Sequence, residues 1–295
     1  MFEIFGVPSQ ALFGQLLLGL INGSFYALLS LGLAVIFGML NIINFTHGAQ
    51  YMLGAFAAFF LLQYAGVGYW GALVIAPILV GLTGVVIERA FLQWLYRLDH
   101  LYGLLLTFGL ALIIEGVFRN YFGSSGLPYQ MPEALTGGQN LGFMFLPNYR
   151  AWVVVFSAAV CLTTWFVIER TRLGAYLRAA TENPTLVRAF GINVPRMITL
   201  TYGFGVGLAA LAGVMAAPIY NVSPQMGADL IIVVFAVVVI GGMGSIMGAI
   251  VTGFGLGVIE GLTKVFFPEA SNTVIFVIMA IVLLIRPAGL FGRGA

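Results

Sequence analysis

Polar side chains that could bind a solute are scarce in this chain, and the first group of them interrupts two apolar runs at Asn41-Ile42-Ile43-Asn44-Phe45-Thr46-His47-Gly48. A membrane tolerates such a break only where protein covers the backbone or where the backbone lines a wet cavity. Asn44 and His47 are therefore candidates for the lining of a path taken by a polar solute. The alternative is an ordinary turn at the membrane face, with His47 as a hydrogen-bonded structural residue.

A second break, Gly241-Gly242-Met243-Gly244-Ser245, interrupts a long apolar run in the second half of the chain. Broken elements in both halves of a membrane protein are typical of a translocation path. The candidate path therefore also includes Gly241, Gly242, Gly244 and Ser245.

Enzymatic signatures are missing from the sequence. Lys264 is the single lysine and lies between apolar residues, so there is no phosphate-binding loop. There is no HExxH motif, Cys161 has no second cysteine, and only two histidines occur, so neither a nucleophile with its base nor a metal site assembles. We expect no enzymatic activity, no metal and no cofactor in this chain.

The acidic residues within apolar runs have structural interpretations. Glu115 precedes Arg119 by four residues, and Glu260 precedes Lys264 by four, which is the favourable order for a helical ion pair. Asp229 opens an apolar run, where the positive end of a helix dipole favours an acid. The alternative is a transport role for these acids. However, a proton-driven carrier needs an acid near mid-membrane, and none is clearly placed there.

The scaffold that holds these residues is predicted to lie in lipid. Of 295 residues, 61% are hydrophobic and 7% are charged, whereas soluble domains carry about 25% charged residues. Residues 4–87 contain no Asp, Glu, Lys or Arg, a stretch too long for one span of ~20 residues. The N-terminus lacks a basic region ahead of its apolar run, so we expect no cleavable signal peptide.

We therefore predict an all-α polytopic membrane protein with a single transmembrane domain over residues 1–295. Two of the apolar runs are short enough to be half-helices, so we expect eight or nine crossings with broken or re-entrant segments. The candidate spans are 12–38, 48–63, 69–87, 101–118, 151–168, 198–217, 229–241, 245–266 and 273–288.

Basic residues predict the orientation, because they concentrate in cytoplasmic loops. If the loop 169–197 is cytoplasmic, then so are the loop 88–100 and the tail 286–295, and this side carries nine basic residues against three. The three on the opposite side are Arg119, Arg150 and Lys264. With nine crossings the N-terminus is on the outer side, and with eight it is not.

The inner loop, about 169–197, contains a short predicted helix. Asn183 precedes Pro184, the pairing of an N-cap with a first-turn proline, and Gly191 follows as a left-handed helix end. We expect Leu186, Val187 and Phe190 on one side of this helix. A helix of about two turns is not stable alone in water, so it needs a surface to lie on.

Two further features are ambiguous. The outer loop, about 119–150, is rich in turn formers and either receives a partner or connects two helices. A weak internal echo pairs Gly32-Leu33-Ala34 and the later Gly48-Ala49 with Gly207-Leu208-Ala209 and the later Gly227-Ala228. It indicates a repeat or a chance match between glycine-rich helices.

These motifs, in this order, resemble the branched-chain amino acid ABC permease family of the LivH type over essentially the whole chain. The matching segments are Asn22 to Leu28, Ile43 to Gly48, Arg178 to Asn183 with Gly191-Ile192-Asn193, Gly241 to Ser245 with Gly248-Ala249 and Glu260, and Pro287 to Arg293. Ala49 departs from the family, whose members often carry an acid at that point.

The resemblance implies a permease subunit of an ATP-binding-cassette importer that moves leucine, isoleucine and valine across the bacterial inner membrane. It adds Asn22 to the candidate path. It also makes the inner loop the segment that docks on a cytoplasmic ATPase, which would use the ATP. The implied coupling residues are Glu182, Asn183, Pro184, Leu186, Val187, Phe190 and Gly191.

Other partners follow from the same resemblance. A homologous second permease would complete the pore, a periplasmic solute-binding protein would deliver the solute, and membrane lipid would surround the bundle. No nucleic acid is expected. Two alternatives stay open: a permease for urea or short-chain amides, which belong to the same broader family, and a self-contained secondary carrier, which has no need for a docking helix.

Overall fold

The computed structural model describes residues 3–4, 7–40, 42–96, 98–142 and 144–292, and helices dominate it, which confirms the all-α prediction. Asn41, Arg97 and Arg293, used above in the motifs and the charge count, lie outside the described residues. The helices are α1 Ser9–Leu40, α2 Thr46–Ala65, α3 Tyr69–Ile87, α4 Gln93–Leu95, α5 His100–Phe122, α6 Asn148–Arg170, α7 Arg172–Glu182, α8 Pro184–Ala189, α9 Val194–Tyr220, α10 Met226–Gly241, α11 Ile246–Phe266 and α12 Val274–Ile285.

Shorter elements join these helices. A π-helical turn at Glu88–Leu92 continues α3 into α4, and 3-10 turns occupy Glu133–Leu135 and Pro268–Ala270. The strands are β1 Glu3–Ile4, β2 Val7–Pro8, β3 Gly138–Asn140 and β4 Phe145–Pro147, and β1 pairs with β2 and β3 with β4, both antiparallel.

The described helices form a polytopic bundle with short elements, as predicted. Six helices are long and apolar enough to cross a membrane: α1, α3 with its continuation, α5, α6, α9 and α11. Helices α10 and α12 are shorter apolar helices, and the first half of α2 is buried inside the bundle. The prediction of an all-α polytopic membrane protein is thereby confirmed, whereas the count of eight or nine crossings stays a prediction.

Helix α1 is the axis of the bundle and packs antiparallel along α11 while it crosses α9. An ideal Cβ on Gly253 of α11 would lie 2.5 Å from the Cα of Ala27, and one on Gly205 of α9 would lie 2.8 Å from the carbonyl oxygen of Gly32. Small residues permit this approach, and close backbone packing holds membrane helices together because lipid supplies no hydrophobic driving force between them.

The break before α2 lies inside the bundle. His47 Nε2 is 3.0 Å from the carbonyl oxygen of Leu29, which lies roughly 16 Å along the helix axis before the end of α1, at about 1.5 Å per residue. Thr107 of α5 satisfies the non-helical backbone. Its hydroxyl accepts from Phe45 N at 3.2 Å and donates to the carbonyl oxygens of Ile43, at 3.2 Å, and Leu104, at 3.1 Å.

The outer loop is an ordered cap on the bundle. Leu127 and Val222 exchange backbone hydrogen bonds of 2.8 Å in both directions, which ties the loop to the end of α9. Tyr129 anchors it in the apolar core, and burial raises the pKa of its hydroxyl to about 12.

Candidate translocation path

An outer cavity of about 350 Å³ lies between α1, α2 and the chain that joins α9 to α10. Its walls combine polar and apolar side chains: Asn22, Phe25, Tyr26, Tyr51, Tyr220, Ser223, Met226, Asp229 and Leu230. Asn22 is the one residue of the sequence-derived path that borders this cavity.

A hydrogen-bonded network fixes one wall of the outer cavity. The Tyr26 hydroxyl donates to Glu260 Oε2 at 2.7 Å, and Lys264 Nζ donates to Glu260 Oε1 at 2.5 Å. The Tyr220 hydroxyl donates to Asn22 Oδ1 at 2.9 Å. The ion pair expected between Glu260 and Lys264 therefore forms, and the charge of Glu260 is balanced within the wall.

Two other groups at the outer cavity are left without such partners. Tyr51 is 1% exposed, and its hydroxyl has no hydrogen bond within the described part of the chain. Asp229 is exposed, lies in the first turn of α10, and forms no ion pair with any described residue. Helix α10 begins three residues earlier than the predicted run, but Asp229 does occupy its opening turn.

An inner cavity of about 430 Å³ lies at the opposite end of α1. Gly244 and Ser245 line it together with Gly38, Glu169 and Arg178. The Ser245 hydroxyl also caps α11 by accepting from Gly248 N at 3.1 Å.

The other two glycines of the second break are packed inside the protein. An ideal Cβ on Gly241 would lie 2.6 Å from the carbonyl carbon of Gly248, and one on Gly242 would lie 2.5 Å from Gly292 N. The carbonyl of Gly241 accepts from Phe291 N at 3.1 Å, so this loop rests on the C-terminal tail.

A tightly packed layer separates the two cavities. It contains Leu29 and Ser30 of α1, the start of α2 at His47 and Gly48, and Gly227 of α10. The void in this layer has no room for a water-sized sphere. Helix α1 thus borders the outer cavity with one stretch and the inner cavity with another. The packed layer closes the space between the two cavities.

His47 is part of this layer, and Asn44 lies three residues before it in the buried break. Asn44 donates to Gln50 Oε1 at 3.4 Å and accepts from Thr46, and Gln50 donates to the Tyr202 hydroxyl at 3.4 Å. Asn44, Thr46, His47 and Gln50 are all buried. Their role in the path stays a prediction.

The inner loop folds as two short helices with the expected caps. Asn183 Oδ1 accepts from Leu186 N at 3.0 Å, Pro184 opens α8, and Gly191 has a positive φ of 81°. Glu182 is exposed at the end of α7.

The apolar side chains of α8 divide between two directions. Val187 is buried with Ala180 and Val194, which fastens the helix to α7 and α9. Leu186 and Phe190 are 53% and 78% exposed. The expectation that all three share one side therefore holds for two of them, because Val187 follows Leu186 by about 100° of helix rotation.

A buried carboxylate links α9 to α3 close to this loop. Glu88, 2% exposed in the π-helical turn, accepts from the Tyr96 hydroxyl at 2.6 Å and from the Thr199 hydroxyl at 2.7 Å. No cation pairs with it among the described residues. Sequence reasoning placed Glu88 in a solvated loop because an acid followed the apolar run.

Sequence reasoning also missed most of the outer cavity. Tyr220 and Ser223 carry no recognisable motif of their own. Tyr51 follows the motif Ile43 to Gly48, but no pattern places it on the path. A signal did exist, since Asn221 to Gln225 forms a polar break between two apolar runs, as 41–48 does in the first half.

Comparison with known proteins agrees with this architecture. Residues 15–283 match the family model described as branched-chain amino acid transport system / permease component. The chain is 31% identical to LivH of Escherichia coli (strain K12) over 95% of both chains, and 31% identical to BraD of Pseudomonas aeruginosa over 95% of both. It is 28% identical to LivM of Escherichia coli (strain K12) over 90% of this chain and 67% of LivM. All three are named high-affinity branched-chain amino acid transport system permease proteins. The resemblance drawn from the motifs is confirmed.

Proposed function

This chain belongs to the family of permease components of branched-chain amino acid transport systems, and on that premise we propose that it forms half of the pore of an ATP-driven importer for leucine, isoleucine and valine in the inner membrane. The observation that carries the proposal is the pair of cavities at opposite ends of α1, closed from each other by the layer around His47, Gly48 and Gly227.

The mechanism we propose is alternating access across that layer. The solute enters the outer cavity, the starts of α2 and α10 separate, and the solute leaves past Gly244 and Ser245. A path of this kind needs a closed resting state, because an open channel would dissipate the gradient that the importer builds. Asn22 borders the entrance, His47 belongs to the moving layer, and Asn44 supports the start of α2 beside it.

Three partners complete the importer in this proposal. LivH and LivM of Escherichia coli are two permease proteins of one named system, which supports a homologous second permease here. The exposed Leu186 and Phe190 would seat on the ATPase, and the ordered outer loop would receive the solute-binding protein. The chain itself would hold no cofactor, and its partner would use the ATP.

Two other activities are distinguished by experiment. The chain is purified from its native host with its copurifying subunits and is reconstituted in liposomes with ATP inside and the solute-binding protein outside. We expect uptake of labelled leucine that requires ATP and is unaffected by collapsing proton and sodium gradients. Gradient-driven uptake without ATP would indicate a secondary carrier, and uptake of urea in place of leucine would indicate an amide permease.

A further inference from the structure

We infer that the outer cavity is a binding site for a zwitterionic α-amino acid, in which Asp229 pairs with the ammonium group of the solute. The inference rests on the proposed function and specifies the chemistry at the entrance of the path. It draws on three properties of the cavity: one free carboxylate, one tyrosine hydroxyl without a partner in the described part of the chain, and an apolar wall.

The free charge is that of Asp229. The other carboxylate near the cavity, Glu260, is held by Lys264 and Tyr26, so it contributes little net charge. No basic side chain is among the residues that line the cavity. An acid in the first turn of a helix gains a modest stabilisation from the helix dipole, and that gain does not require the carboxylate to face a cavity. Here it does, and no described basic side chain pairs with it, so it is free to pair with a cationic group of the solute.

The hydroxyl is that of Tyr51, and it is independent of Asp229 because it lies on α2. The Tyr51 side chain is 1% exposed, yet its hydroxyl oxygen is not enclosed by protein and opens on the outer cavity. Polar groups of buried side chains usually have a hydrogen-bond partner, and this hydroxyl has none within the described part of the chain, so a solute in the cavity is a suitable acceptor of its proton. Ser223 supplies a second hydroxyl on the same cavity. These two donors suit the carboxylate of an amino acid.

The remaining wall fits a branched aliphatic side chain. Phe25, Met226 and Leu230 provide the apolar surface. The volume, about 350 Å³, falls at the small end of ligand pockets, which span roughly 300–1,000 Å³. Urea and short-chain amides have no cationic group and no branched side chain, so they would leave Asp229 unpaired and the apolar wall uncovered. The lining therefore selects amino acids within the broader family.

The test uses the reconstituted importer with saturating solute-binding protein. Asp229→Asn should lower the initial rate of leucine uptake about tenfold or more, the value of a charge-assisted hydrogen bond. Asp229→Glu should retain more of the uptake rate than Asp229→Asn, and Tyr51→Phe should lower the uptake rate several-fold.

The matched control is Glu269→Gln, which removes an exposed acid at the same end of the bundle. The unfolding temperature should be unchanged by Asp229→Asn, because the side chain is exposed. Glu269→Gln should leave both the unfolding temperature and the stimulation of ATP hydrolysis by the unliganded binding protein unchanged.

The outcomes separate this inference from the proposed function. If the unmodified complex imports no leucine, the proposed function itself fails. If the unmodified complex imports leucine and Asp229→Asn does so at the same rate, the inference alone is wrong. It is equally wrong if uptake falls only together with the unfolding temperature, because Asp229 would then be structural.

Discussion

Gly48 and Gly227 meet backbone to backbone where α2 and α10 begin: an ideal Cβ on Gly48 would lie 2.6 Å from the carbonyl oxygen of Gly227. Each is the first residue of one of the two Gly-Ala pairs in the internal echo. They follow helices α1 and α9, which run in opposite directions. A methyl group cannot fit between the two backbones, so the starts of both helices depend on glycine.

We predict that Gly48→Ala lowers the unfolding temperature of the purified protein by several degrees, since overpacking a tight interior costs about 1–3 kcal/mol. The matched control is Gly116→Ala in α5, where nothing lies within 4 Å of the added methyl group. That variant should be neutral or slightly more stable, because Ala is the better helix former. Equal unfolding temperatures for the two variants would contradict the close contact.

Thr107→Val should destabilise the broken segment before α2. The substitution keeps the shape of the side chain but leaves Phe45 N and the Ile43 carbonyl without their hydrogen bonds. Each unpaired buried group costs about 1–3 kcal/mol. Thr163→Val is the control, because Thr163 is exposed on α6. Differential scanning fluorimetry in detergent measures both, and a Thr107→Val protein as stable as the control would show that the contact is unimportant.

The two faces of α8 predict opposite phenotypes. Leu186→Ala with Phe190→Ala should leave the unfolding temperature unchanged but reduce copurification of the ATPase and leucine uptake, because exposed apolar anchors typically contribute about 2 kcal/mol or more each to an interface. Val187→Ala should instead lower the unfolding temperature, because Val187 packs against α7 and α9. A double variant that keeps its ATPase would place the docking surface elsewhere.

Glu88→Ala should lower stability at the inner end of α3. It removes the acceptor of two buried hydroxyls, Tyr96 and Thr199, at a cost of about 1–3 kcal/mol per unpaired group. Glu133→Ala, an exposed acid of the outer loop, is the control and should have no effect. Thermal unfolding compares them, and an unchanged Glu88→Ala protein would mean that water replaces the carboxylate.

Orientation is tested by labelling single cysteines in a Cys161→Ala background. An impermeant maleimide added outside should label Ser125→Cys, in the outer loop, and spare Ala189→Cys, at the end of α8; both positions are exposed. Only a permeant reagent should reach Ala189→Cys. The reverse pattern would invert the predicted topology.

Features with local causes were predictable from the sequence. The caps of α8 depend on Asn183 and Gly191, which act on backbone groups within a few residues, and the ion pair of Glu260 with Lys264 depends on one helical turn. Apolar length likewise indicated the long helices.

Features that depend on distant partners were not predictable. The depth of the break before α2 is fixed by Thr107, which is far away in sequence. Similarly, Glu88 is buried because Thr199 and Tyr96 supply donors, whereas the sequence shows an acid at the end of an apolar run. Convergence of Tyr51, Tyr220 and Asp229 on one cavity requires α2, α9 and α10 to be placed relative to each other.

The meeting of α2 and α10 also has an electrical consequence. Each helix start carries a partial positive charge, equivalent to roughly half an elementary charge. Asp229 in the first turn of α10 offsets part of that charge, but no carboxylate is among the described residues that line the sealed layer. A proton or sodium ion drawn inward by the membrane potential meets a positive barrier there as well as a dry one. We therefore expect the closed protein to block the passage of ions, although the same path admits an amino acid when it opens.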